Sequence, residues 1–79
     1  MQPDQARKTA EAIVDDLRGA AYYRDPKVLA TFLHSQFGGS ADRASEVADA
    51  VVDDLRGAAY YRNAEVLADF LGGKFREPA

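Results

Sequence analysis

Two stretches of the chain carry the same eleven residues: VDDLRGAAYYR occupies Val14–Arg24 and recurs at Val52–Arg62. Around them, segment 10–37 matches segment 48–75 at 19 of 28 positions with a constant offset of 38 residues. A fixed period of this kind is the mark that a repeated structural unit leaves in a sequence. The chain therefore contains a tandem duplication.

The composition is that of a small folded domain rather than a disordered chain. Of the 79 residues, 47% are apolar and 29% are charged, both ordinary values for a globular protein. We expect one domain, 1–79, made of repeat unit one at 1–38 and repeat unit two at 39–76. With no cysteine and a single histidine, His34, the sequence predicts neither a metal nor another cofactor.

Apolar residues recur three and four positions apart in the first unit, as on one face of a helix. Ala10, Ile13 and Leu17 mark a long helix, and Leu29 and Leu33 mark a shorter one. The second unit repeats both patterns. The predicted fold is all-α, with four helices as two tandem helix-turn-helix hairpins packed with pseudo-two-fold symmetry. The alternative is an open pair of hairpins that dimerises to complete its core.

Capping residues predict where the helices begin. Asp25 and its counterpart Asn63 are both strong N-cap residues, and each has a side-chain oxygen that can accept a backbone amide. The exchange of aspartate for asparagine favours a capping role over a charge role. Ser40 or Asp42 is expected to cap the third helix.

Glycines predict where the helices end. Gly38-Gly39 closes the first unit, and Gly72-Gly73 is expected to shorten the fourth helix, leaving Phe75 in a tail or an extra turn. Gly19 leaves two alternatives. If the first helix continues through it, the following tyrosines face outward; if the helix ends there, they can fill the corner of the hairpin.

The repeated Tyr-Tyr-Arg triplet is the candidate partner-binding site, formed by Tyr22, Tyr23, Arg24, Tyr60, Tyr61 and Arg62. Tyrosine and arginine are enriched at binding hot spots. The competing interpretation is that the tyrosines are corner aromatics with their hydroxyls in water. We expect at least one tyrosine per unit to keep an exposed edge. Alanine at Tyr23 and Tyr61 is then expected to weaken association more than folding.

Paired carboxylates are the other feature that could carry chemistry. Asp15-Asp16 recurs as Asp53-Asp54, but neighbours on a helix point about 100° apart and do not converge on a metal. Asp15 is instead expected to pair with Arg18. No nucleophile, base and orienting acid stand in a catalytic arrangement, so we predict no enzyme activity.

A protein-interaction or self-assembly module is the function that these features favour, binding another protein or forming a homodimer. The faces of Phe37 and Phe75 are expected to add to the contact. The alternatives are a DNA-binding helix-turn-helix regulator, disfavoured by the net charge of −3, and a duplicated or designed scaffold without a partner. With no membrane segment, no signal peptide and no cysteine, we expect a cytoplasmic protein.

Overall fold

The computed structural model describes residues 3–75, and this range is built from helices. Four α-helices follow one another: α1 at Pro3–Arg18, α2 at Pro26–Phe37, α3 at Ala41–Arg56 and α4 at Ala64–Lys74. Two three-residue 3₁₀ helices, the first corner at Tyr22–Arg24 and the second corner at Tyr60–Arg62, join α1 to α2 and α3 to α4. The described range holds no strand, so the all-helical prediction is confirmed. The outer ends of the predicted repeat units, residues 1–2 and 76, lie outside it.

The long helices end before their glycines. The amides of Gly19 and Ala21 both donate to the carbonyl of Asp16, at 2.9 and 2.8 Å. Ala21 then takes the left-handed conformation with φ 58°, and Ala59 does the same with φ 59°. The phase of the helix is therefore lost before the tyrosines, which settles the alternative left open at Gly19.

The predicted caps are present. The side chain of Asp25 accepts the amide of Lys27 at 2.9 Å, and that of Asn63 accepts the amide of Glu65 at 2.9 Å. Of the two candidates for α3, Ser40 is the cap, because its hydroxyl accepts the amide of Arg43 at 3.1 Å. Each cap satisfies an amide that has no partner within its helix.

The two glycine pairs behave differently. Gly38 and Gly39 have φ of 71° and 74°, a region that side chains strongly disfavour, and they turn the chain between α2 and α3 as predicted. The prediction for Gly72-Gly73 is wrong, because α4 continues through both glycines to Lys74. Gly72 faces α1 there, and a β-carbon on it would lie 4.0 Å from that of Ala6.

The helices pair across the two halves of the chain. α1 packs mainly on α4, and α2 packs mainly on α3, whereas α1 and α2 share far less contact. A side-chain hydrogen bond from Gln5 to the carbonyl of Gln36 ties the start of α1 to the end of α2. Each predicted hairpin is therefore an open pair whose apolar faces are covered chiefly by helices of the other pair.

One hydrophobic core serves all four helices. Its largest fully buried side chains come from α1, α2, α3 and α4 alike: Ile13, Leu29, Leu33, Val47, Val51, Leu67 and Leu71. Small residues bring the backbones close, since Ala10 and Ala48 are also fully buried. The radius of gyration is 11.2 Å, close to the roughly 11.6 Å typical of a compact chain of this length.

Candidate interaction face

Each corner is fixed by a carboxylate at the end of the preceding long helix. Oδ2 of Asp16 accepts the backbone amide of Tyr23 at 2.9 Å, and Oδ2 of Asp54 accepts that of Tyr61 at 2.9 Å. A carboxylate bond to a backbone amide is charge-assisted and shorter than a neutral one. The second aspartate of each Asp-Asp pair is thus a local cap, a role that the sequence analysis missed.

The second tyrosine of each corner packs against the core. The ring of Tyr23 stacks on Phe32 with centroids 4.7 Å apart and planes at 15°, and Tyr61 stacks on Phe70 at 4.6 Å and 19°. Both tyrosines are partly buried against the core. The expectation that alanine at these two positions would weaken association more than folding therefore needs correction, because they support the corner from inside.

The first tyrosine of each corner faces solvent. Tyr22 and Tyr60 are each 68% exposed, the largest exposed fraction among the big apolar side chains in the described range. The expectation of one exposed tyrosine edge per unit is confirmed at these positions. In each pair of consecutive tyrosines, the first ring is thus exposed and the second is half-buried against the core.

The two corners lie at the same end of the bundle. Leu17 and Arg24, from the end of α1 and the first corner, line one cleft of about 80 Å³ together with their counterparts Leu55 and Arg62. Both arginines are exposed. We call the exposed residues of the two corners, Tyr22, Arg24, Tyr60 and Arg62, together with this cleft, the corner face.

The opposite end of the bundle is closed by two phenylalanines. Phe37 and Phe75 stack on one another with centroids 4.6 Å apart and planes at 13°. Both are partly buried against the core. The stack covers one face of each ring and both side chains are half-buried, so the expectation that their exposed faces supply partner contact stays a prediction.

The remaining candidates do not converge on a reactive site. Asp15 makes no ion pair with Arg18 among residues 3–75, where the ion pairs are Arg7–Glu11 and Arg43–Glu46. In that same range no three metal-ligating side chains lie together. His34 is exposed, with Nε2 3.1 Å from the carbonyl of Gly39.

The surroundings of Tyr61 shift the titration of its hydroxyl. Burial of its hydroxyl, and secondarily the negative charge of Asp54, raise the pKa of Tyr61 above its usual value of 10. Both effects disfavour the phenolate. The hydroxyl of Tyr61 therefore stays protonated at neutral pH and is not a ready nucleophile or base.

Comparisons with known proteins return no relative. No family model matches the chain, and neither the curated proteins nor the solved structures contain a significant match. Within the described residues, no helix has both the length and the apolar character needed to cross a membrane.

Proposed function

We propose that the chain is a small helical interaction module without catalytic activity, and that it binds its partner through the corner face. One observation carries the proposal: Tyr22 and Tyr60 are each 68% exposed while the adjoining residue is anchored in the core. Large aromatic rings presented to water beside arginine are typical of binding hot spots. Of the six residues of the predicted site, the four in the corner face would contact the partner, and Tyr23 and Tyr61 would support them.

The support makes the exposed tyrosines effective anchors. Tyr22 follows a residue fixed in the left-handed region and precedes one held by both a carboxylate bond and ring stacking. Tyr60 has the same support. A preordered backbone lowers the entropic cost of binding, because less freedom is lost when the partner docks.

We further propose that units 1–38 and 39–76 form one domain with pseudo-two-fold symmetry. A residue that touches its own counterpart lies at the axis relating the two copies. Phe37 and Phe75 are such a pair, since they stand 38 positions apart and stack on each other. At the other end, the two arginines and two leucines of the cleft are counterparts as well.

The chemistry of the corner face favours a different protein as partner over a second copy bound face to face. A face-to-face homodimer would bring Arg24 and Arg62 of one chain against the same residues of another, and like charges in contact are unfavourable. A partner with acidic and apolar groups would match both the arginines and the tyrosines.

Nucleic acid is not proposed, because the net charge is −3 and Lys27 is the only lysine or arginine in α2. We propose a cytoplasmic location on the absence of cysteine.

Site-specific photocross-linking tests the proposal. A photoreactive phenylalanine analogue at Tyr22 should cross-link a discrete protein in cells that express the chain, and the same group at exposed Thr31 in α2 is the control. The identified protein is then purified and its affinity measured. The double change Tyr22→Ala and Tyr60→Ala should weaken binding by about 30-fold or more, the loss expected for a hot spot.

A second double variant distinguishes the contribution of the tyrosine rings to affinity from that of their hydroxyls. The double change Tyr22→Phe and Tyr60→Phe should keep affinity within a few fold, because the ring supplies most of the buried area. A cross-linked product made only of this chain would point to self-association instead. Equal cross-linking from positions 22 and 31, or unchanged affinity in the alanine variant, would contradict the proposal.

A further inference from the structure

The cleft in the corner face is lined by two arginines, which carry like charge. Arg24 comes from the first corner and Arg62 from the second, and Leu17 and Leu55 supply the other two lining side chains. The leucines are partly buried against the core. The volume of about 80 Å³ open to the centre of a water-sized sphere exceeds the roughly 10–15 Å³ that one water molecule needs by the same measure, so a small ion fits.

Neither arginine is neutralised by the chain in the described range. Residues 3–75 contain ion pairs at Arg7–Glu11 and Arg43–Glu46, and neither involves the cleft. No described side-chain hydrogen bond uses the guanidinium of Arg24 or Arg62 either. In a chain with eight other basic and thirteen acidic residues, two cations sharing a cleft without an acid stand out. Their mutual repulsion would be relieved by an anion between them.

We propose that this cleft binds one phosphate-type oxyanion between the guanidinium groups of Arg24 and Arg62. Each guanidinium is a planar fork of donors suited to two oxygens of one anion. A tetrahedral phosphate offers separate oxygen pairs to two forks and carries a charge between −1 and −2 near neutral pH. A carboxylate has one pair of oxygens and one charge, so it matches a single fork.

The walls of the cleft strengthen the attraction between the arginines and an anion, but only moderately. Leu17 and Leu55 exclude water from one side of the cleft, which strengthens the charge interactions there. The opening to solvent leaves the other side screened. We therefore expect a dissociation constant on the order of 1 mM for inorganic phosphate. The cleft is part of the corner face, but phosphate binding there needs no protein partner, so the chain alone should bind phosphate.

Titration of the chain with phosphate at fixed ionic strength tests the site. Sodium phosphate replaces sodium chloride at constant ionic strength of about 0.15 M, and the side-chain Nε–H resonances of the arginines are followed by NMR. The resonances of Arg24 and Arg62 should move in a saturable way that fits one site. Parallel titrations with sulfate, acetate and O-phosphoserine separate the tetrahedral dianion from a carboxylate, and a free ion from a phosphorylated side chain.

Matched arginine variants assign the binding to the cleft. Arg24→Gln and Arg62→Gln should each weaken phosphate binding about tenfold, which is the effect of one charge-assisted hydrogen bond. Arg18→Gln and Arg56→Gln make the same charge change at exposed arginines that end the long helices and do not line the cleft. These controls should keep affinity within about twofold. Helix content by circular dichroism verifies that every variant is folded.

The outcomes are distinct from those of the protein-binding test. Tyr22→Ala with Tyr60→Ala should weaken partner binding by about 30-fold or more and leave phosphate binding intact, so failure of one proposal does not imply failure of the other. Tighter binding of phosphoserine than of phosphate would support the site and would indicate that the phosphate group it binds belongs to a phosphorylated protein. Absence of saturation, equal losses in the control variants, or acetate binding as tight as phosphate would overturn the assignment.

Discussion

The ring of Tyr23 lies on the ring of Phe32, with centroids 4.7 Å apart, while Tyr22 beside it is 68% exposed. Neighbouring identical residues therefore have different roles. Tyr23→Ala removes a stacked, partly buried ring and should lower the free energy of unfolding by about 2 kcal/mol. Tyr22→Ala should change it by less than about 0.5 kcal/mol. Urea denaturation of the two variants measures the difference, and equal losses would contradict the division of roles.

The Asp-Asp pair allows a second matched comparison. Asp16→Ala removes the acceptor of the Tyr23 amide, so it should cost about 1–2 kcal/mol, as for the loss of a helix cap. Asp15 is exposed and accepts no described hydrogen bond, so Asp15→Ala should cost less than about 0.5 kcal/mol. Both variants change the net charge equally. A larger loss for Asp15→Ala in urea denaturation would show that the wrong carboxylate has been assigned to the corner.

The left-handed alanines offer a route to higher stability. Ala21 and Ala59 have φ of 58° and 59°, where a non-glycine residue is strained by about 1–3 kcal/mol. Glycine relieves this strain but has more freedom in the unfolded chain. Ala21→Gly should therefore gain about 0.5–1 kcal/mol, seen as a higher thermal midpoint. Ala20→Gly, one position earlier and without positive φ, is the control and should lower that midpoint.

The helices themselves could be predicted from the sequence because their signals are local. The caps Asp25 and Asn63, the apolar spacing and the turn at Gly38-Gly39 each act within a few residues. The end of α4 could not be predicted in this way. Gly72 and Gly73 are poor helix formers, yet both lie within α4, where Gly72 faces Ala6 of α1.

The pairing of helices could not be predicted, because the two units present nearly identical apolar faces. The apolar face of α1 can pack on α2 or on α4 equally well, because α4 is the repeat counterpart of α2. The spacing of apolar residues therefore cannot distinguish the two pairings. The difference in exposure between Tyr22 and Tyr23 could not be predicted from the sequence either. It depends on a left-handed residue at Ala21, and alanine carries no sequence signal for that conformation.

Alkaline pH should destabilise the fold through Tyr61. Burial and the charge of Asp54 raise the pKa of Tyr61 in the folded state above the unfolded value of 10. The unfolded chain therefore releases this proton first, and the contribution to stability is complete below pH 10 and lost as the pH rises through the folded-state value. Tyr61→Phe keeps the ring but cannot ionise. Between pH 8 and pH 11 the wild type should lose more stability in urea than this variant, and equal losses would contradict the effect.

The mutual dependence of the two halves is tested most directly by separating them. Peptides 1–38 and 39–79 are followed by circular dichroism and sedimentation across a range of concentrations, alone and mixed. Because α1 is covered mainly by α4 and α2 mainly by α3, each peptide should lack stable helix whenever it sediments as a monomer. An equimolar mixture should regain the helix content of the intact chain. A stably helical monomer of either peptide would contradict the account.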